Sequence, residues 1–183
     1  GLIGVGRVGG DWRSFIGSRR ELVAGALLAF SGSRRRSEQV GEAGGVRIMD
    51  DYGHHPTEIE TTLRGLREFY QPRRLIVDFM SHTYTRTARL LEGFAGSFDQ
   101  ADVVVINEIY ASARERFDGS IGGADLAAAI ATKHPAVAYR GSHEEAVEYL
   151  LDLVEPGDLV LTLGAGDSWR IGKQLLERLQ EEQ

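Results

Sequence analysis

Apolar positions along the chain fall into short blocks separated by glycine-rich and charged segments, and the spacing within each block predicts its element. Val46–Met49 (VRIM) is a short β-like run that ends at Asp50-Asp51-Tyr52-Gly53. A helix is predicted from Pro56, a favoured first helical position, with Glu58 beside its positive end. Ile59, Leu63, Leu66 and Tyr70 step by 4, 3 and 4 along it, which is one helical face. Leu75–Phe79 reads as a second strand, and Thr85–Phe98 as a helix with Leu90, Leu91, Phe94 and Phe98 inward. The apolar strand Val103–Ile106 follows, then a polar loop over Ser112–Gly123. Beyond it come a helix over Ala124–Ala131, a strand over Ala136–Tyr139 and a helix over Glu144–Val154. Pro156-Gly157-Asp158 turns the chain into strand Leu159–Leu163, and a last helix carries Ile171, Leu175 and Leu179.

Strands that alternate with helices imply βαβ crossovers and a mostly parallel sheet, so the fold class expected is α/β, Rossmann-like and doubly wound. In such sheets ligands bind beyond the carboxyl ends of the strands. Three polar clusters fall there: Asp50–Pro56, Met80–Arg86 and Gly164–Asp167. Residues 1–38 differ in texture. Gly1–Gly10 is glycine-rich, Leu22–Phe30 reads as a short apolar helix or core piece, and Ser31–Ser37 reads as a polar, basic linker. A boundary is expected there, with residues 39–183 as one domain.

Composition narrows the classes. The 183 residues suit one domain, or one plus a fragment. A net charge of −6 argues against nucleic-acid binding through a basic face. Cysteine is absent, which excludes disulfides, thiolate metal sites and cysteine nucleophiles. The apolar runs are too short for a membrane helix of about 20 residues. A start at Gly1 and the lack of a basic-then-apolar leader predict a cytoplasmic piece of a longer protein.

Several motifs carry chemistry. Gly4-Val5-Gly6-Arg7-Val8-Gly9 matches G-x-G-x-x-G, but only Leu2-Ile3 precede it and no acid stands about 20 residues on. Asp50-Asp51-Tyr52-Gly53-His54-His55-Pro56 could bind a metal, a ribose or an anion at a helix N-terminus; equally, its acids could form a turn and His55 could cap the helix. In Ser81-His82-Thr83-Tyr84-Thr85-Arg86-Thr87 the hydroxyls suit capping, whereas Arg86 in a first helical turn opposes the helix dipole and calls for an anionic partner. Gly164-Ala165-Gly166-Asp167 permits close backbone approach, with or without a ligand. Arg34-Arg35-Arg36 reads by default as a solvated run. No G-x-x-x-x-G-K-[ST] phosphate loop and no G-x-S-x-G nucleophile elbow occur in the chain.

Taken together, these strings resemble the Mur ligase family. Asp50 to Ile59 (DDYGHHPTEI) is similar to a family signature, and Phe30 to Arg36 (FSGSRRR) to the linker between central and C-terminal domains. Tyr84-Thr85-Arg86-Thr87, Ile109-Tyr110-Ala111 and Gly164-Ala165-Gly166-Asp167 follow in the family's order. The resemblance implies the C-terminal domain, residues 39–183, of a three-domain enzyme of peptidoglycan synthesis, with residues 1–38 a remnant of the central domain plus linker. The whole enzyme would use ATP and Mg²⁺ to join L-alanine to UDP-N-acetylmuramate through an acyl phosphate. By the same resemblance Asp51 would accept from the ATP ribose and Arg36 would lie near the nucleotide phosphates. His54 and Arg86 would line the amino-acid pocket and take part in catalysis, with Tyr52 and Thr83 as neighbours. No metal ligand is expected in this chain, nor any tightly bound cofactor. The family usually reads Phe-Gln-Pro-His where Phe79-Met80-Ser81-His82 stand, and many members carry an arginine in place of Thr83. Two other readings stay open on the residues alone. One is a self-contained α/β ligand-binding module; the other is a metal-dependent phosphoesterase using Asp50, Asp51, His54 and His55.

Overall fold

The computed structural model describes residues 34–111 and 119–182. The glycine-rich motif at Gly4–Gly9, the apolar stretch Leu22–Phe30 and most of the loop after Ala111 lie outside them. Six strands form one sheet: β1 (Glu38–Ala43), β2 (Val46–Asp51), β3 (Leu75–Phe79), β4 (Val103–Ile106), β5 (Val137–Tyr139) and β6 (Leu159–Leu163). Five helices complete the described residues: α1 (Pro56–Tyr70), α2 (Tyr84–Ala95), α3 (Gly123–Ala131), α4 (His143–Leu153) and α5 (Trp169–Glu181). None of these helices is long and apolar enough to cross a membrane.

The strand order is β1-β2-β6-β3-β4-β5, parallel except for β1, which pairs antiparallel with β2. Sequence periodicity misses β1, because Glu38, Gly41 and Glu42 break any apolar alternation. It is an edge strand whose pairing supplies what its side chains do not. The expected doubly wound arrangement is present. Ile59, Leu63 and Leu66 of α1, Phe94 of α2 and Leu126 and Ile130 of α3 pack with Leu75, Val77, Phe79 and Leu161 on one face. Ala146, Val147 and Leu150 of α4 and Ile171 and Leu175 of α5 pack with Ile48, Ile76, Val105 and Val160 on the other. Helix α2 ends at Ala95, with Gly96 as its C-cap, three residues before the predicted Phe98. Phe98 still reaches the core from the turn beyond, 5.5 Å from the Phe79 ring.

This winding places the crevice. Helices α1 and α2, which follow β2 and β3, cover one face, whereas α5, which follows β6, covers the other. Because β6 lies between β2 and β3, the connections diverge on both of its sides, and the sheet opens at its carboxyl edge there. All three predicted polar clusters leave from these three strand ends.

Helix α1 begins as its sequence suggests. His55 caps it, its Nδ1 accepting from Thr57 N at 3.3 Å, and Pro56 opens the first turn. Glu58 Oε2 accepts from the backbone N–H groups of His54 and His55 at 3.0 and 3.2 Å. The His54 N–H in particular holds the Glu58 carboxyl below its ordinary value, against the opposing effect of burial. Glu58→Ala is expected to cost about 0.5–1 kcal/mol at neutral pH. A carboxylate with a lowered pKa contributes above its unfolded value, so this difference shrinks as the pH falls below about 4. Urea unfolding at two pH values checks it; a loss that persists in acid would remove the charge from the explanation.

Candidate functional site

Strand alternation sends the two neighbouring acids to opposite faces. Asp50, with the parity of Ile48, turns toward α5, and Asp51, with that of Met49, turns toward α1. Asp50 is buried and accepts from Thr162 Oγ1 at 2.9 Å and from Arg35 Nε at 2.8 Å. Burial raises its carboxyl above the ordinary value, and Arg35 pulls the other way. Asp51 is also buried, and both its oxygens are engaged: Oδ2 accepts from Ser37 N and Oδ1 from Gly53 N, each at 2.7 Å.

Arg35 is the residue that sequence reasoning placed wrongly. The basic run is not simply solvated. While Arg34 and Arg36 are exposed, Arg35 turns in with φ 56° and joins three segments. Its guanidinium donates to Asp50, to the Gly166 carbonyl at 2.8 Å, to the Gly164 carbonyl at 2.6 Å and to Ser168 Oγ at 3.2 Å. It also lies 5.2 Å from the centre of the Tyr52 ring, and its carbonyl accepts from Tyr52 N. Only the register of the linker decides which of three identical residues turns inward, and no composition signal carries that.

The glycine cluster after β6 serves the chain's own packing. Gly164 has φ 140°, and a Cβ there would stand 2.2 Å from the Met80 carbonyl oxygen. A Cβ on Gly166 would meet the Tyr110 ring at 2.8 Å. These glycines let β6 lie close against the ends of β3 and β4, and their carbonyls are the ones Arg35 holds.

The second cluster is strained and open. Thr83, at the N-terminus of α2, has φ 69° and ψ 134°, a costly conformation for a β-branched residue. It is held by Thr83 N donating to the Tyr110 carbonyl and by Thr87 N and Oγ1 donating to the Thr83 carbonyl. Tyr110 N in turn donates to the Ser81 carbonyl, and the His82 and Tyr110 rings stack with centroids 5.8 Å apart. Thr83, Thr85, Arg86, Arg89 and Leu90 line a cavity of about 420 Å³. Arg86 Nη1 is buried and has no hydrogen-bond partner among the described residues, and no acid lies in the first turn of α2. Arg86 in the first turn of α2, with that donor unused, and Arg89 one turn on are chemically able to pair with a carboxylate or another anion.

The structure thus joins some predicted residues and separates others. Thr83 and Arg86 share the cavity. Asp51, Tyr52 and His54 lie together after β2, on the same edge of the sheet; the His54 ring meets the Tyr52 ring edge-on at 5.4 Å, with Nδ1 3.1 Å from the Tyr52 carbonyl. Arg36 is exposed, close enough to Glu58 to help hold its carboxyl down. The phosphoesterase reading fails. Asp50 is committed to Arg35 and Thr162, Asp51 to Ser37 and Gly53, and His55 to the helix cap, and among the described residues no three His, Asp or Glu side chains gather as metal ligands would.

Sequence reasoning also passed over a strut at the ends of β4 and β5. Glu108 accepts from Ile109 N and Gly123 N, both at 2.8 Å, and from the Tyr139 hydroxyl at 2.7 Å. Burial alone would raise its carboxyl, but these three donors outweigh it and leave it below the ordinary value. The Tyr139 phenol is pushed up to about 12, by burial first and then by donating to Glu108.

A doubly wound, mostly parallel sheet with its polar clusters at the switch point is the α/β architecture whose ligands, where it binds them, sit beyond the carboxyl ends of the strands. More narrowly, residues 35–166 match the family of the Mur ligase, glutamate ligase domain, and the chain belongs to that family. A UDP-N-acetylmuramate–L-alanine ligase of Treponema pallidum is 52% identical over 156 residues, covering 85% of this chain and 32% of that protein. The chain therefore spans about a third of the length of such relatives. In fold it is similar to the UDP-N-acetylmuramate–alanine ligase of Thermotoga maritima, with a TM-score of 0.70 at 22% identity over 93% of this chain and 35% of that one. It is also similar to a MurF ligase of the same organism solved in complex with ADP, with a TM-score of 0.57 at 20% identity over 90% and 36% of the two chains.

Proposed function

We propose that this chain is the C-terminal, amino-acid-binding domain of an ATP-dependent ligase that joins L-alanine to UDP-N-acetylmuramate. The observation that carries the reading is the unpartnered Arg86 Nη1 in the α2 cavity, in a chain that shares 52% identity with a ligase of that name. Residues 39–183 would form the domain, and residues 1–38 the tail of the central domain with its linker. Arg34 and Arg35, though part of the linker in sequence, belong to the same compact unit as the sheet.

Arg86 would pair with the alanine carboxylate, and the strained Thr83 would fix the mouth of that cavity. His54, beside Tyr52 at the end of β2, would line the amino-acid pocket with Arg86, and Tyr52 would neighbour it. Asp51 Oδ1 has one backbone donor and keeps a second lone pair that a ribose hydroxyl could use, while Oδ2 accepts from Ser37 N and, at 3.4 Å, from Ser37 Oγ, a weak bond that a second ribose hydroxyl would have to displace. Arg36, exposed on the linker, would meet the nucleotide phosphates. In the complete enzyme, ATP with Mg²⁺ supplies the phosphoryl group that turns the sugar's carboxylate into an acyl phosphate open to attack by the amine. The domain's own share is positioning and charge balance in a crowded anionic site. Substrates of this kind would be met in the cytoplasm, and the reading assigns no part to nucleic acid or membrane.

The chain has no phosphate loop of its own, so by itself it is expected to hydrolyse no ATP and to ligate nothing. Reading the gene upstream of Gly1 and expressing the whole product tests the proposal. A Gly-Lys-Thr/Ser loop upstream, and ADP release that depends on both L-alanine and UDP-N-acetylmuramate, are the expected results. Mg²⁺-dependent ligation by the isolated chain, or a whole product indifferent to L-alanine, would overturn it.

A further inference from the structure

Two buried oxygens without donors belong to side chains that are already joined to each other. Asp78, in β3, is fully buried, and Asn107, the residue after β4, is nearly so. Asn107 Nδ2 donates to Asp78 Oδ1 at 3.0 Å and, more weakly, to the Arg140 carbonyl at 3.5 Å. Both amide hydrogens therefore face acceptors, and this fixes the orientation of the amide. Turned over, its oxygen would meet two other oxygens. What remains is Asn107 Oδ1 and Asp78 Oδ2, each buried and without a partner. Both are acceptors if Asp78 is ionised, and unpaired buried acceptors are costly. A single proton on Asp78 removes both defects.

We infer that Asp78 is held as the neutral acid, its Oδ2–H donating to Asn107 Oδ1, so that the two side chains form a reciprocal acid–amide pair that pins the end of β3 to the end of β4. Among the described residues, no cation pairs with Asp78 to hold a carboxylate there. Asp78 lies across from Thr162 on β6 and Val105 on β4, and the Thr162 hydroxyl is given to Asp50. Helices α4 and α5 bring Ala146, Val147, Leu150, Ile171 and Leu175 to this face. Of the cations on these elements and their flanking loops, Arg35 pairs with Asp50, His143 and Arg170 with Asp167, Lys173 with Glu177 and Arg178 with Glu148, and Arg140 lies over the Tyr149 ring. Burial pushes the Asp78 carboxyl up to about 7, with Asn107's donation opposing it.

The pair stands where the candidate site begins. Asn107 N donates to the Phe79 carbonyl, and the segments running on from these two residues interlock through Tyr110 with Ser81 and Thr83. Asp78 and Asn107 are thus positioning residues for the loop that opens α2. The sign of the linkage follows from the direction of the shift. An unfolded aspartate titrates near 3.9, so the neutral pair favours folding fully below that pH. Its contribution is lost as the pH rises to about 7, the unfolding constant growing by up to tenfold per pH unit in between.

Asp78→Asn separates the pair from the titration, because an amide can donate from the same position to Asn107 Oδ1 and never ionises. Urea unfolding of the full chain and of D78N would be measured at about pH 5 and about pH 8.5, either side of the expected midpoint. The variant's unfolding constant should match the parent's within about threefold at the lower pH and be roughly tenfold or more smaller than the parent's at the higher. The parent's Asp78 side-chain carboxyl carbon should titrate by NMR near pH 7. The amide signals of Ser81, Thr83 and Tyr110 should move with the same midpoint and stay still in D78N. A D78N chain weakened equally at both pH values, a carboxyl carbon titrating in the ordinary range near 4, or loop signals that ignore the midpoint would overturn the inference. The parent's titration decides it even if D78N does not fold.

Discussion

Arg35→Ala is expected to destabilise the chain by about 3–5 kcal/mol at neutral pH, which is the usual cost of removing one partner of a buried ion pair. Asp50 is 2% exposed, and Arg35 is the only cation paired with it among the described residues. The substitution also strips donors from the carbonyls of Gly164 and Gly166, which sit in a turn too tight for any side chain. Asp50 already has a raised pKa, and losing Arg35 raises it further. A raised acid loses its contribution as the pH climbs, so the gap between parent and variant should be small near pH 4 and widen toward neutrality. Arg35→Lys should recover only part, because one ammonium cannot reach Asp50, two carbonyls and Ser168 together. Urea unfolding across pH checks all three statements. A loss below about 1 kcal/mol would mean that Arg35 is an ordinary surface cation.

The sequence carried the layering of this fold because its information is periodic. Ile59, Leu63 and Leu66 on α1 and Ile171 and Leu175 on α5 mark their faces by spacing alone, and the parallel strands read as largely apolar runs because helices cover both sides of the sheet. The three polar clusters were legible for the same reason: each interrupts the pattern at the end of a strand. What stayed hidden depends on register or on burial. β1 is held by backbone pairing and has no apolar rhythm. Arg35 is indistinguishable from Arg34 and Arg36 until the linker's path is known. Asp78 sits inside the run Leu75–Phe79, where one acid in an apolar strand could be an edge residue or a buried one, and its partner Asn107 is 29 positions away. Glu108 and Tyr139 pair across 31 positions. Such contacts exist only once β3, β4 and β5 are side by side, and no local spacing announces them.

On the proposed function, Arg86→Ala made in the whole protein is expected to raise the KM for L-alanine roughly 10- to 150-fold, the equivalent of losing a charge-assisted hydrogen-bond contact of about 1.5–3 kcal/mol. The KM for ATP should stay within about threefold, because the α2 cavity and the linker face of Asp51 are separate features of the sheet edge and the lost contact is local. The fold should tolerate the change. Arg86 Nη1 has no partner to lose among the described residues, and removing a cation from the first turn of α2 relieves an unfavourable interaction with the helix dipole. Arg86→Ala should therefore leave urea stability unchanged or slightly raised while binding falls, a combination that a structural arginine cannot produce. Arg86→Lys should restore part of the affinity, since an ammonium keeps the charge but not the planar fork. Arg89, on the same wall, sharpens the comparison: Arg89→Ala should have the smaller effect, because its side chain is exposed and its charge is screened by solvent. An unchanged KM for L-alanine in Arg86→Ala, or an equal loss for ATP, would move the carboxylate out of the α2 cavity and make His54, beside Tyr52 at the end of β2, the anchor to test next.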